Sequence, residues 1–359
     1  MEGTAQERIR HSPLVLVETE SLSREQWLEY RRLGIGGSDV AAIMGISPFR
    51  TARDIYYDKL GIAEVGGYEG NWVAMEMGSL LEGLVAEIFR RKTGLEVYQV
   101  KKMFQHPVHR FMLADVDSFV TMPDGTKAIL EIKTTNYNAK DLWWRDGREI
   151  VPPYYETQGR HYMAVTDIGR VFFCCLYGNT EDEVIIREIR RDTAYEEEMI
   201  FLEQEFWENH VQKKMPPPYL EDGNLILESI RRHCGPADKG LPAVSLEGQM
   251  ASNLMRYLRL QEEKKDSEKN TKKLKDDIQR LQAILAAEMG SSCTAVCDRD
   301  GKRYTVTCNP VRKPMVDKDN LARMKLLYPE IYGQFVTVSE YRKFHVKVSG
   351  AVETSGEAA

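Results

Sequence analysis

The chain has 359 residues, 42% of them hydrophobic and 29% charged, with a formal net charge of −6. That length accommodates two or three modules, since domains run to roughly 100–200 residues. The charge balance does not advertise a polyanionic partner, although a local basic groove beside an acidic site would nearly cancel in the sum.

No apolar run approaches the roughly 18 residues a membrane helix needs, and Leu14–Val17 is too short for a signal-peptide core. A soluble, cytoplasmic protein with no membrane partner is expected. Six cysteines do not make a disulfide framework in a chain this long. Cys293, Cys297 and Cys308 lack a fourth ligand at a sensible spacing, so buried thiols are expected in place of a zinc or iron–sulfur site.

In chain order, Ser23 with Gln26 predicts a capping box ahead of a helix carrying Trp27, Leu28 and Tyr30. GIGGSDVAAIMG reads as a glycine-rich turn entering a short helix. A second capped helix follows Thr51, with Asp54 at its third position and Gly61 past its end. In MEMGSLLEGLVAEIFRRKTG, Leu81, Leu84, Val85, Ile88 and Phe89 recur at helical spacing and Gly94 supplies the C-cap. FMLADVDSFVTM and KAILEIKTT read as two strands of a hairpin, joined by the turn Pro123-Asp124-Gly125. A helix around PPYYETQGRHYMAV, a strand VFFCCLYG and a helix from Glu196 to Val211 complete a mixed α/β core.

Pro216-Pro217-Pro218 marks a boundary. The expected division is 1–220, 221–290 (linker and coiled-coil-like helical segment) and 291–359 (small α/β module). Within the second part, Leu274, Ile278, Leu281 and Leu285 form an apolar stripe. The charged run QEEKKDSEKNTKK is a solvated helix face or the bend of a helical hairpin. The third part offers a hairpin around Asp300-Gly301, a helix after Asp319 and a strand YRKFHVKV.

The chemistry concentrates in AILEIKTT. Strand side chains alternate, so Glu131 and Lys133 share a face while Leu130 and Ile132 take the other. Asp115 and Asp117 share a face of the preceding strand in the same way. One reading is a Glu131–Lys133 pair at a half-exposed sheet edge. The other is a pair of carboxylates holding a divalent ion against a phosphodiester, with a lysine steadying the developing charge. Hard oxygen ligands suit Mg²⁺ or Mn²⁺, and the Ile132 carbonyl would add a backbone ligand.

RRLGIGGSDVAAIMGISPF, MGSLLEG, DVDSF…LEIKTT and PPYYETQGRHYMAV, in that order, resemble the YqaJ-type viral recombinase family, relatives of phage lambda exonuclease in the PD-(D/E)xK nuclease superfamily. The resemblance covers roughly residues 25–210. It implies a PD-(D/E)xK restriction-endonuclease-like core, a central mixed sheet flanked by helices. It further implies that Glu82, Asp117 and Glu131 are metal ligands and that Lys133 is the catalytic lysine, with Asp115 an alternative ligand beside Asp117. Arg31 and Ser38 match the positions that grip a terminal 5′-phosphate, where a glycine turn at a helix N-terminus also favours an anion. The plainer role of Ser38 or Asp39 is to cap that helix. Gln158 matches a positioning glutamine beside the site, and His161 is read as a structural histidine.

The implied activity is Mg²⁺-dependent 5′→3′ digestion of linear double-stranded DNA ends, leaving 3′ single strands for recombination by a single-strand annealing protein. A homo-oligomer is left open, without a ring trimer, because the chain is longer than the minimal lambda-type enzyme. The alternatives are a Cas4- or RecB-like nuclease, an endonuclease of the same superfamily, and a non-catalytic DNA-end-binding module. The iron–sulfur form of the first needs an early cysteine, whereas the first here is Cys174, so no cluster is expected. Trp143 and Trp144, with Arg145 and Arg148, offer either core packing or stacking on frayed DNA.

Overall fold

Several helices begin where the sequence supplies capping side chains. In the computed structural model, which describes residues 10–62, 72–234, 245, 247–289, 294–299, 302–307 and 318–336, strand β1 (Leu14–Glu18) leads into α1 (Arg24–Arg32). The α1 N-terminus carries the expected box: Gln26 N–H donates to Ser23 Oγ, and Ser23 N–H donates to Gln26 Oε1 at 2.9 Å. β2 (Ile35–Gly36) and α2 (Gly37–Ile43) follow, then α3 (Ala52–Lys59), where Thr51 and Asp54 form a second box. Helix α4 (Trp72–Thr93) ends at Gly94 with φ +70°, a left-handed cap that favours glycine.

Six strands surround the centre: β3 (Glu96–Tyr98), β4 (Lys102–Gln105), β5 (Met112–Asp115), β6 (Ser118–Thr121), β7 (Lys127–Thr134) and, further on, β10 (Arg170–Leu176). Between β7 and β10 lie a 3₁₀ segment (Tyr137–Trp143), a two-stranded hairpin of β8 (Trp144–Arg145) and β9 (Arg148–Glu149), and α5 (Pro153–Thr166). β11 (Val184–Arg190) and α6 (Thr193–Phe206) follow, α6 continuing as a π-helical stretch to Gln212. Helix α7 (Gly223–Cys234) closes the first of two compact units, Met1–Pro236 and Ala237–Ala359. It docks on α3 through Ser229, Arg232 and His233, all of which reach the Asp54 carboxylate.

The expected mixed α/β architecture is present. One sheet has the order β11-β10-β7-β6-β3, with β7 and β10 parallel and the other neighbours antiparallel; a second has the order β1-β4-β5-β2. The stretch read as one strand, FMLADVDSFVTM, is two. β5 pairs with β4 in the second sheet and β6 pairs with β7 in the first, so the chain changes sheets at Val116–Asp117. The β6–β7 ladder ends at Ser118↔Leu130, and beyond it the Asp117 carboxylate takes the Ile132 N–H at 2.9 Å.

β7 is covered on both faces. Leu130 and Ile132 pack with Val85, Ile88 and Phe89 of α4, whereas Ile129 joins the cluster under α5. Cys174 and Cys175 are buried free thiols on β10, and burial pushes both up to about 12. Trp143 and Trp144 part company: Trp143 is 1% exposed, packed on Tyr155 and Phe173, while Trp144 lies at the surface.

In the second unit, α8 (Gln249–Met289) is a single helix of 41 residues, so the charged run is a solvated helix face and not a bend. Its Leu274, Ile278 and Leu281 are exposed. β12 (Thr294–Arg299) and β13 (Lys302–Thr307) pair as the expected hairpin, and α9 (Lys318–Leu327) precedes α10 (Pro329–Phe335). Cys293, Cys308 and the strand YRKFHVKV lie outside the described residues, as does the side chain of Cys297. Among the described residues no helix is long and apolar enough to cross a membrane.

Candidate active site

Strand β7 delivers Glu131 and Lys133 to the face under α5. Glu131 is 1% exposed, which corrects the half-exposed edge pair considered from the sequence. Its Oε1 accepts from Lys133 Nζ at 2.6 Å and from Gln158 Nε2 at 2.5 Å. Lys133 Nζ also donates to Gln158 Oε1 at 3.1 Å and stands 4.9 Å from the Tyr155 ring centre. Gln158, in the second turn of α5, thus fixes both charged groups and reaches the Tyr162 hydroxyl at 3.2 Å. The second Glu131 oxygen, Oε2, is buried with no hydrogen-bond partner among the described residues.

Two more carboxylates line the same space. Asp117 accepts from Ile132 N–H, and Glu82 of α4 accepts from Gln99 Nε2 at 2.9 Å. N–H and C=O of one strand residue point to the same side, so the Ile132 carbonyl faces the side that Asp117 takes. Burial, then repulsion from Asp117, pushes the Glu131 carboxyl up to about 8 against the pull of Lys133. Burial also raises Asp117, and burial and Asp117 raise Glu82. Lys133, which burial alone would push down, is held up by Glu131 and Asp117. Three carboxylates are lifted together and one of their oxygens is orphaned, so a cation placed among them would relieve all three. Among the described residues no three acidic, histidine or cysteine side chains are grouped so that they could hold a metal ion as they stand. Instead Glu82, Asp117 and Glu131, with Ile132 and Lys133, share one open hollow of about 750 Å³.

A family model, "YqaJ-like viral recombinase domain", matches residues 26–169. Over 336 residues the chain is 30% identical to the Bacillus subtilis (strain 168) protein named "Uncharacterized protein YqaJ", covering 93% of this chain and 97% of that one. The chain belongs to the YqaJ family. Among solved structures it is similar to an alkaline exonuclease of Laribacter hongkongensis, LHK-Exo, at 21% identity over 53% of this chain and 94% of that one, with a TM-score of 0.42. The same enzyme in complex with dAMP gives 0.43. A phage-related exonuclease of Haemophilus somnus 129PT gives 14% identity, 52% and 99% coverage and a TM-score of 0.38.

In this YqaJ-family chain the glycine turn forms the wall of a neighbouring hollow of about 470 Å³, lined by Arg31, Ser38, Glu82, Asp115, Asp117 and Gln158 among others. Asp115 is held by Trp27 Nε1 at 2.7 Å, whereas Asp117 is anchored on β7 itself. Arg31 is not a free cation. One guanidinium nitrogen donates to Ser38 Oγ at 2.6 Å and to Asp39 Oδ1 at 2.6 Å. Asp39, wholly buried, also binds Lys59 Nζ at 2.7 Å and takes the Gly36 N–H at 3.0 Å. Burial would raise the Asp39 carboxyl, but Arg31 and Lys59 hold it far below the usual range. The turn N–H at Gly36 is therefore spent on Asp39.

Arg50 was not legible as a residue of this region. It lines the larger hollow with Arg24 and Ser38, and no hydrogen bond or ion pair engages its guanidinium among the described residues. An isolated arginine in a loop has no periodicity to mark it; only the placement of α3 beside α2 brings it to Ser38. Arg232 of α7 reaches the carbonyl of Phe49, next to Arg50, and Asp54. Gln99 and Lys101 were missed for the same reason. Lys101 lines the smaller hollow and draws down Glu82, Asp115 and Asp117.

His161 has the structural role expected: wholly buried, its Nε2 donates to the Leu113 carbonyl at 2.8 Å and its Nδ1 shares a hydrogen bond with Glu203 Oε1 at 2.9 Å.

Gly37 sets the spacing between α2 and α5. A Cβ there would stand 2.6 Å from the Tyr162 ring and 3.0 Å from Gln158 Cγ. Gly37→Ala should push Gln158 off Glu131 and Lys133. A shift near 1 Å at a positioning group costs roughly 10²-fold in turnover; steady-state rates with circular dichroism as the folding control check this.

Proposed function

We propose that this chain is a metal-dependent 5′→3′ exodeoxyribonuclease that acts on the ends of linear duplex DNA. The observation that carries the reading is one hollow that gathers Glu82, Asp117 and Glu131 with the cations Arg24, Arg50 and Lys133, and that shares Ser38, Glu82, Asp117 and Gln158 with a smaller hollow lined by Arg31 and Lys101. Glu82, Asp117, the orphaned Glu131 Oε2 and the Ile132 carbonyl would hold Mg²⁺, with Mn²⁺ as a substitute. When bound, the ion supplies Lewis-acid polarisation of the scissile phosphate and a more acidic water. Lys133 keeps its proton at Nζ and offers it as a hydrogen-bond donor to a phosphate oxygen, where negative charge grows. Gln158 keeps that ammonium from collapsing wholly onto Glu131. Arg50 and Ser38 Oγ receive the terminal 5′-phosphate, and Arg31 orients Ser38. The 3′ strand left behind is the substrate of a single-strand annealing protein, the partner that a viral recombinase of this family would serve.

A digestion time course on linear duplexes with 5′-phosphate, 5′-hydroxyl or blocked 5′ ends tests the reading. Release of nucleotides from the first, little from the last and none with chelator is expected. Equal cutting of closed circles would make it an endonuclease, and metal-independent or absent hydrolysis would remove the metal-nuclease assignment.

Arg50→Ala should lower kcat/KM selectively on phosphorylated ends, by roughly 10-fold or more for a lost charge-assisted contact. Arg31→Ala is the poorer probe. It takes from buried Asp39 one of its two cationic partners, so a loss of fold stability, measurable by urea denaturation, would be mixed with any loss at the 5′ end. Equal losses on both ends in Arg50→Ala would remove the phosphate assignment.

A further inference from the structure

The hairpin after β7 carries a charge pattern that the proposed active site leaves unused. Asp146 and Gly147 both have positive φ, 52° and 73°, as a type I′ turn requires. The turn fixes the register, placing Arg145 opposite Arg148 and Trp144 opposite Glu149. Residues opposed in an antiparallel pair project from the same face with Cβ atoms about 5 Å apart, and like charges there repel.

The only acid on these four positions is engaged elsewhere. Glu149 pairs with Arg187 of β11 at 3.3 Å, and the Arg187 guanidinium also lies over the Trp144 ring at 5.0 Å. One face of the hairpin is thereby bolted to the sheet. The opposite face displays two exposed guanidinium groups, and among the described residues neither has a hydrogen bond or an ion pair. The hairpin is also rooted beside the site. Ile150 N–H closes its base on the Trp143 carbonyl at 3.0 Å, and the buried Trp143 ring packs 5.9 Å from Tyr155, the ring beneath Lys133.

We propose that Arg145 and Arg148 form a clamp on the phosphodiester backbone of the duplex DNA being digested, a proposal that rests on the nuclease reading. A phosphate between the two groups removes their repulsion. The planar guanidinium fork matches phosphate oxygens, and such contacts carry no sequence preference. A short hairpin with a fixed turn and one stapled face holds the pair at little entropic cost.

The test compares full-length wild type with Arg145→Gln/Arg148→Gln, measuring Kd for a 5′-phosphorylated duplex at salt from 50 to 200 mM, with kcat at saturating DNA and the thermal midpoint. Each phosphate contact contributes about 0.9 to the slope of log Kd against log salt. The double variant should therefore lose about 1.8 in slope, with unchanged kcat and melting, and Arg145→Lys/Arg148→Lys should keep the slope. An unchanged slope in the glutamine variant, while the wild type cuts DNA, overturns the clamp and leaves the nuclease reading intact. A change seen with single-stranded but not duplex DNA overturns the duplex assignment. A wild type that neither binds nor cuts DNA removes both.

Discussion

Glu131→Gln is expected to abolish DNA hydrolysis, by roughly 10³-fold or more, while making the metal-free protein more stable. The two effects have one cause. Glu131 is buried with an orphaned oxygen, and its carboxyl is pushed up to about 8 by burial and by Asp117 and Glu82. Keeping it charged costs folding energy. A glutamine offers Lys133 and Gln158 the same Oε1 acceptor without the charge. Lys133 loses its counter-ion in exchange, so the net gain is smaller than the shift alone implies, about 1–2 kcal/mol. Thermal melting in chelator at pH 8, beside the digestion assay, reads both. A Glu131→Gln protein that melts lower and still cuts DNA would show that Glu131 serves only as the ion-pair partner of Lys133.

That trade of stability for placement explains what the sequence discloses. Glu131 and Lys133 are legible because two charges in an apolar run violate strand patterning, and the capping boxes at Ser23 and Thr51 are legible because they close within four residues. Glu82 is singled out only by the family resemblance, since helical periodicity alone does not separate it from an ordinary surface glutamate. What could not be read is what the chain joins across distance. The break at Val116–Asp117 leaves the alternation intact and changes only which sheet receives each half. Trp143 and Trp144 are adjacent and chemically equal, yet the start of the hairpin sends one into the core. That Arg31 and Lys59 share the buried Asp39 carboxylate is set by α3 packing against α2 and has no local mark in the sequence. Arg50 reaches the site by the same packing.

The raised carboxylates predict how a divalent ion binds. In the metal-free protein Glu131 holds a proton up to about pH 8, and Asp117 and Glu82 also titrate above their ordinary values. An ion must displace that proton, so affinity should rise with pH, up to about tenfold per unit between the ordinary glutamate range and about 8, and then level off. Calorimetry at pH 7 in buffers of different ionisation enthalpy should count close to one proton released per Mg²⁺. For stability the sign is the reverse. A carboxyl whose folded pKa lies above its unfolded value stabilises the fold below the unfolded value, and that contribution is lost as pH rises through 8. With chelator, this group alone makes the protein melt higher at pH 6 than at pH 8.5; with saturating Mg²⁺ that difference should vanish, because the ion binds only the folded chain and its affinity rises with pH as fast as the metal-free stability falls. Ion affinity independent of pH across this window would mean that Glu131 is already ionised before the ion arrives, and the cluster would then be a salt-bridge network around Lys133 rather than a cation site.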